Sequence, residues 1–169
     1  LFSQPSSSFY SMFGIGDLDD YGVGLARAMG GTGIAINSKE SLNNLNPASY
    51  SGIDSFSFHF EFGFDSKFSR FANYNESHNI LDATFRYFAL GTRFNKWWSW
   101  SIGIAPYSTV GYSVNTYGYI SGNYDPFETV ISGDGGLNKL YFGNSFKLFK
   151  GLSAGINTSY LFGSITHNE

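Results

Sequence analysis

The sequence predicts an all-β fold, a transmembrane antiparallel β-barrel, and three observations carry that reading. A phenylalanine ladder alternates with polar residues, the alternating segments are long, and the connections between them alternate in length. Between Ser55 and Asp65 every even position is phenylalanine: Phe56, Phe58, Phe60, Phe62 and Phe64. The odd positions read Ser55, Ser57, His59, Glu61, Gly63 and Asp65. Side chains alternate across a strand, so one face is pure Phe and the other polar and ionisable. Covering each Phe is worth about 1.5–3 kcal/mol, so a second protein layer or lipid must lie against that face.

From residue 53 onward the pattern alternates strand and connection. The first strand is expected over Ile53–Phe64, followed by a polar loop, Asp65–Asn79. The second is expected over Ile80–Phe94, with Leu81, Ala83, Phe85 and Tyr87 on one face and Asp82, Thr84 and Arg86 on the other. Asn95-Lys96 form a short turn, and the third strand runs from Trp98 past Pro106 to Val114. A Gly/Tyr/Asn/Asp stretch fills 115–136, with room for short strand pieces. The fourth strand covers Lys139–Phe149, the turn is Lys150-Gly151, and the fifth covers Leu152–Ile165. Strands of about 11–15 residues exceed the ~5–6 usual in soluble sheets and reach the ~9–11 that cross a bilayer obliquely. Connections that alternate between two residues and a dozen or more match short periplasmic turns and long external loops.

Composition agrees. Aromatics make up 20% of residues and charged residues 14%, against about 25% charged in a typical soluble domain. Mean hydropathy is only −0.15, as expected for a sheet greasy on one side and polar on the other. A net charge of −3 leaves no basic footprint, so no nucleic-acid partner is expected. The absence of cysteine excludes disulfides, thiolate metal sites, Cys nucleophiles and a Cys-linked lipid anchor. No apolar run reaches the length of a membrane helix, which says nothing against barrel strands. Trp97, Trp98 and Trp100 sit beside the Asn95-Lys96 turn, where an aromatic girdle belongs; the alternative is a cap on a soluble β-sandwich.

Residues 1–50 are Gly- and Ser-rich and lack sustained alternation, so they read as a separate irregular segment that packs into something, with 51–169 as barrel strands. Asn37 or Ser38 is expected to cap one helical turn through Asn43, which Pro47 then stops. Ala26-Arg27-Ala28-Met29-Gly30-Gly31-Thr32-Gly33-Ile34-Ala35, followed by Asn44-Leu45-Asn46-Pro47-Ala48 before the first strand, resembles the FadL-like family of outer-membrane channels for hydrophobic compounds. Ile104-Ala105-Pro106-Tyr107-Ser108 is similar to a Pro-containing stretch of an early strand in that family. The resemblance implies a fourteen-stranded barrel with the N-terminal segment folded inside as a hatch or plug, and greasy substrates leaving through a wall opening at a kinked strand. Five strands cannot close around a hatch, so the sequence reads as the N-terminal part of a longer protein.

By parity His59, Glu61, Asp82, Thr84 and Arg86 face the lumen, holding the hatch, lining a path or forming a generic solvated interior, and Asp82 and Arg86 are placed to pair. Phe56 to Phe64 face lipid. Gly103 and Pro106 mark a strand break, read either as a lateral opening or as a mere bulge. Asn46, Pro47 and Ala48 shape the entry from hatch to barrel. Gly22-Val23-Gly24 and Gly30-Gly31-Thr32-Gly33 lack the strand, Lys-Ser/Thr and long helix of a phosphate-binding loop. Asp17, Asp19 and Asp20 lack calcium-loop spacing, and the histidines lack ligand spacing, so no metal, cofactor or enzymatic site is expected. Two functions follow: a channel for uptake of hydrophobic compounds such as fatty acids, or a barrel of the same fold serving as a non-transporting accessory subunit of an assembly or secretion complex. Either places the chain in the outer membrane of a Gram-negative bacterium, with lipid, a hydrophobic ligand or other outer-membrane proteins as partners.

Overall fold

A computed structural model of the chain describes residues 9–19, 21–72, 77–119 and 126–168. It is mostly β. A 3-10 turn (Phe9–Met12), the two-residue strand β1 (Asp17–Leu18), the five-residue helix α1 (Gly24–Ala28) and a 3-10 helix (Pro47–Gly52) precede five long antiparallel strands. These are β2 (Phe58–Ala72), β3 (Ser77–Arg93), β4 (Trp98–Tyr119), β5 (Pro126–Phe149) and β6 (Leu152–Asn168). The sheet is ordered β2-β3-β4-β5-β6, with β1 added on β4, and it is open rather than closed into a barrel. Among the described residues sequence neighbours pair in space, and β2 and β6 do not pair with each other.

The strands are longer than alternation alone indicates. The expected loop Asp65–Asn79 is largely a ladder, with pairs from Asp65↔Thr84 out to Ala72↔Ser77. Likewise β4 extends to Tyr119 and β5 starts at Pro126. Backbone pairing uses groups that every residue carries, so a hairpin can continue where the strict apolar alternation stops. The first strand also begins later than expected. Ile53 is buried at the end of the 3-10 helix, and Phe56 lies in the following turn with φ +65°. Phe56 is therefore outside the strand ladder; its N–H donates to the Arg93 carbonyl at 3.3 Å.

A bulge breaks the parity expected for β3. Gly63 pairs with Tyr87 but Phe64 pairs with Phe85, so Arg86 is the extra residue. Phe85 and Tyr87, one face by simple alternation, are thereby separated: Phe85 meets Phe64 at 5.7 Å between ring centroids, while Tyr87 covers Gly63 on the other face. The helical turn expected through Asn43 is absent. Pro47 occupies the first turn of a 3-10 helix, where its missing N–H costs nothing, instead of ending a helix.

The chain divides into two compact units. The larger comprises Asp20–Ala105 and Lys139–Leu161, and its core gathers Val23, Leu42, Tyr50, Ile53, Ala89 and Tyr141, with Tyr87 packed against them. The smaller comprises Leu1–Asp19, Pro106–Asn138 and Phe162–Glu169. In it β1 pairs with β4 through Asp17↔Thr109 and Leu18↔Ser108, and the Asp19 N–H donates to Tyr107 O at 2.8 Å. Ser11 exchanges hydrogen bonds with both backbone groups of Gly111, and the Tyr112 hydroxyl lies 2.7 Å from His167 Nδ1.

Candidate functional site

Within the larger unit, the face of β2 and β3 opposite the phenylalanines receives the segment 21–53. Glu61 anchors it: its Oε1 accepts the Leu42 N–H at 2.7 Å. The same residue's side chain, Leu42, is fully buried and lies directly on Gly91, where a Cβ would displace it. Asn44 acts as a two-sided clamp. Its side-chain oxygen accepts the Val23 N–H at 3.0 Å, and its carbonyl accepts from the Asn157 amide of β6 at 2.5 Å. Asn43 organises the loop before it, donating to the carbonyls of Gly33 and Ile36.

The Asn46-Pro47-Ala48 stretch docks further along the same face. The Asn46 amide donates to Ile34 O at 2.8 Å. The Ala48 carbonyl accepts from Ser51 at 2.9 Å and from Ser145 of β5 at 3.1 Å. The Ser153 hydroxyl of β6 donates in turn to the Ser51 oxygen at 2.6 Å, and Gly155 lies against the Pro47–Ala48 backbone. Two tyrosines are buried here, Tyr50 of the 3-10 helix and Tyr141 of β5. Burial pushes the Tyr50 hydroxyl well above the usual tyrosine value, so it stays neutral. Gly103 makes room for Tyr141, since a Cβ there would come within 2.6 Å of its ring, and Gly143 does the same for Tyr50.

Beyond Glu61 the face turns ionic. Arg86 Nε lies 2.7 Å from Asp65 Oδ2, and Arg27 of α1 approaches the same oxygen at 3.7 Å. Arg27 also stands over the Tyr21 ring at 5.7 Å. Together Tyr21, Arg27, Phe64, Asp65 and Tyr87 line a cavity of about 430 Å³. Arg86 thus finds a carboxylate on the neighbouring strand; the side chain of Asp82, its expected partner, lies outside the described residues. His59 Nε2 is 3.4 Å from Ser57 Oγ, and Thr84 pairs across the ladder with Asp65.

The other expected residues fall on the outer face or in β4. Phe58, Phe60, Phe62 and Phe64 are all more than half exposed and stack edge to face along the strand, with centroids 5.8 Å apart for Phe60–Phe62 and Phe62–Phe64. Trp97 stacks on Phe146 and Trp98, and Trp100 lies against Phe142. Among the described residues the β3–β4 register runs from Arg93↔Ser99 to Phe88↔Ile104, two residues short of Pro106. Leu42, Tyr50, Tyr141 and Asn157 were not singled out from sequence. Their signal was present in part as glycines at inner-face positions such as Gly91, Gly103 and Gly155, each of which leaves space for a side chain or backbone from elsewhere.

The BamG family model matches residues 1–169, and the chain belongs to the BamG family. That family is associated with the outer-membrane β-barrel assembly machinery, in which it is a component and not a known enzyme. No curated protein and no solved structure matches the chain. The full-length match overturns the resemblance to FadL-like channels, and with it the reading of the chain as an uptake channel for hydrophobic compounds. The two short glycine-rich and Asn-Pro-Ala stretches that carried the resemblance describe how an irregular segment is packed on a sheet. They do not specify what passes through it.

Proposed function

We propose that this chain is a non-catalytic accessory subunit of the outer-membrane β-barrel assembly machinery, contributing a membrane-embedded β-wall to it. The observation that carries this reading is the family match over residues 1–169. The exposed stripe Phe58–Phe64 supports placement in the outer membrane of a Gram-negative bacterium, because an apolar face of that size is stable only against lipid or another apolar surface. Residues 1–50 act as a hatch, of which 21–50 is fastened to the inner face of the larger unit through Glu61, Asn44 and the Asn46-Pro47-Ala48 stretch. The sheet forms part of a transmembrane barrel, since a bilayer tolerates no unpaired strand edge. The neighbours of the outer stripe are lipid and the other outer-membrane proteins of the complex.

The test is purification of an affinity-tagged chain from outer membranes in mild detergent. Stoichiometric recovery of the other outer-membrane subunits of the assembly machinery is expected. A photo-crosslinker at Phe60 or Phe62 should report lipid or a partner protein, and one at Glu61 only the chain itself. Recovery of the chain alone, or its absence from the outer-membrane fraction, would overturn the proposal.

A further inference from the structure

The short-turn end of the larger unit combines three features: rigid turns, exposed aromatics on the outer face, and lysines without a carboxylate. The turn after β3 is built to hold its shape. Asn95 Oδ1 accepts the N–H groups of Trp97 and Trp98 at 3.0 and 2.8 Å, and the Arg93 guanidinium donates to the carbonyls of Ile53, Asn95 and Lys96. The Lys147 N–H donates to Trp97 O at 2.8 Å, tying this turn to the end of β5. The Trp98 indole N–H donates to Asn144 at 3.1 Å. Trp97 is thereby held in place while 57% exposed, stacked 6.1 Å from Phe146 at 17°. Leu148 and Leu152 continue the exposed apolar surface towards the second turn.

Each of the two turns carries an exposed lysine, Lys96 and Lys150, and neither has an ion-pair partner among the described residues. Asp54, at the same end of the sheet, is paired with Lys39 at 3.8 Å. Arg93 donates to three backbone carbonyls, so among the described residues Lys96 and Lys150 are the unpaired cations on the turns themselves, with Lys147 further back on β5. A soluble protein interface would be expected to offer such cations a carboxylate at a defined point. A layer of lipid phosphates offers negative charge at the depth where indole rings settle.

We propose that this end of the sheet binds the headgroups of anionic phospholipids, Lys96 and Lys150 contacting phosphate while Trp97 and its stacked neighbours sit at the interface just beneath. The proposal rests on the reading that the outer stripe faces lipid. It adds a preference for lipid charge, located at one end of the wall. Lys147 is an internal control, because alternation along β5 puts it on the face of the buried Tyr141 and Ser145.

The experiment uses the full chain in bilayers with Trp97 as its sole tryptophan (Trp98→Phe, Trp100→Phe), quenched by brominated phosphatidylglycerol or brominated phosphatidylcholine. Quenching by both lipids is expected, with phosphatidylglycerol favoured by about fivefold per lysine. The preference should fall close to unity in Lys96→Gln/Lys150→Gln and in 1 M salt, where screening acts within about 3 Å. It should persist in Lys96→Arg/Lys150→Arg and in Lys147→Gln. Equal quenching by the two lipids, or an undiminished preference in the double Gln variant, overturns the headgroup site and leaves the lipid-facing stripe standing. Loss of the preference in Lys147→Gln overturns the assignment to the two turns. No quenching by either lipid overturns the lipid-facing reading itself.

Discussion

The two faces of β2 are built from alternate residues of one strand, yet they are stabilised in different ways. The outer residues Phe58, Phe60, Phe62 and Phe64 touch mainly one another and their cross-strand neighbours Phe85 and Phe88, and their rings stay more than half exposed. The inner residue Glu61 holds a backbone N–H of the segment 21–53, and Gly63 is covered by Tyr87. The outer face therefore takes most of its stabilisation from whatever surrounds the protein. The inner face takes it from specific internal contacts. Substitutions on the two faces should accordingly differ in cost, and in which medium reveals that cost.

The largest effect is expected from Leu42→Ala. It empties a fully buried site against Gly91 and should cost about 2–5 kcal/mol, read by denaturant unfolding in detergent micelles. A cost under about 1 kcal/mol would show that segment 21–53 does not pack as described. Glu61→Ala comes next, since it leaves the buried Leu42 N–H without its charged acceptor, at about 1.5–3 kcal/mol. Glu61→Gln keeps an acceptor oxygen and should recover part of that loss; no recovery would point to the charge rather than the hydrogen bond. Asn44→Ala removes the acceptor of the Val23 N–H and should cost about 1–3 kcal/mol, with faster proteolysis in 21–53 as an independent readout. The smallest effect is expected from Phe60→Ala. In micelles it should cost only the edge-to-face pairing with Phe62 and Phe88, about 0.5–1.5 kcal/mol per pair at most. If its cost in micelles matched that of Leu42→Ala, the distinction between the two faces would fail.

Much of the sheet was legible in the sequence because a period of two is a local signal. The Phe ladder, the Asn95-Lys96 and Lys150-Gly151 turns and the polar opposite faces all come from residues within a few positions of one another. Strand ends were less legible, because ladders such as Arg70↔Asn79 and Ala72↔Ser77 are held by backbone groups that every residue carries. The bulge at Arg86 was invisible as well. It shows only when two strands are laid side by side, and it moves Tyr87 from the expected outer face to the core. Within the candidate site, Glu61 is an inner-face position of the alternating ladder and Arg86 sits at the bulge that interrupts it, whereas Leu42 and Asn44 lie outside any alternating segment. Their roles depend on partners 19 and 113 residues away.

What the sequence by itself determined is the two-faced character of the sheet: which side chains point together follows from backbone geometry alone. Membership of the BamG family is likewise carried by the sequence over its whole length. The tertiary structure decided the rest: where the ladder starts, which carboxylate Arg86 meets, and which inner glycines admit Leu42, Tyr141 and the Pro47–Ala48 backbone. The physical reason is range. Alternation is set by neighbours along the chain, while a packed inner face is set by segments that meet only once the sheet has brought them together.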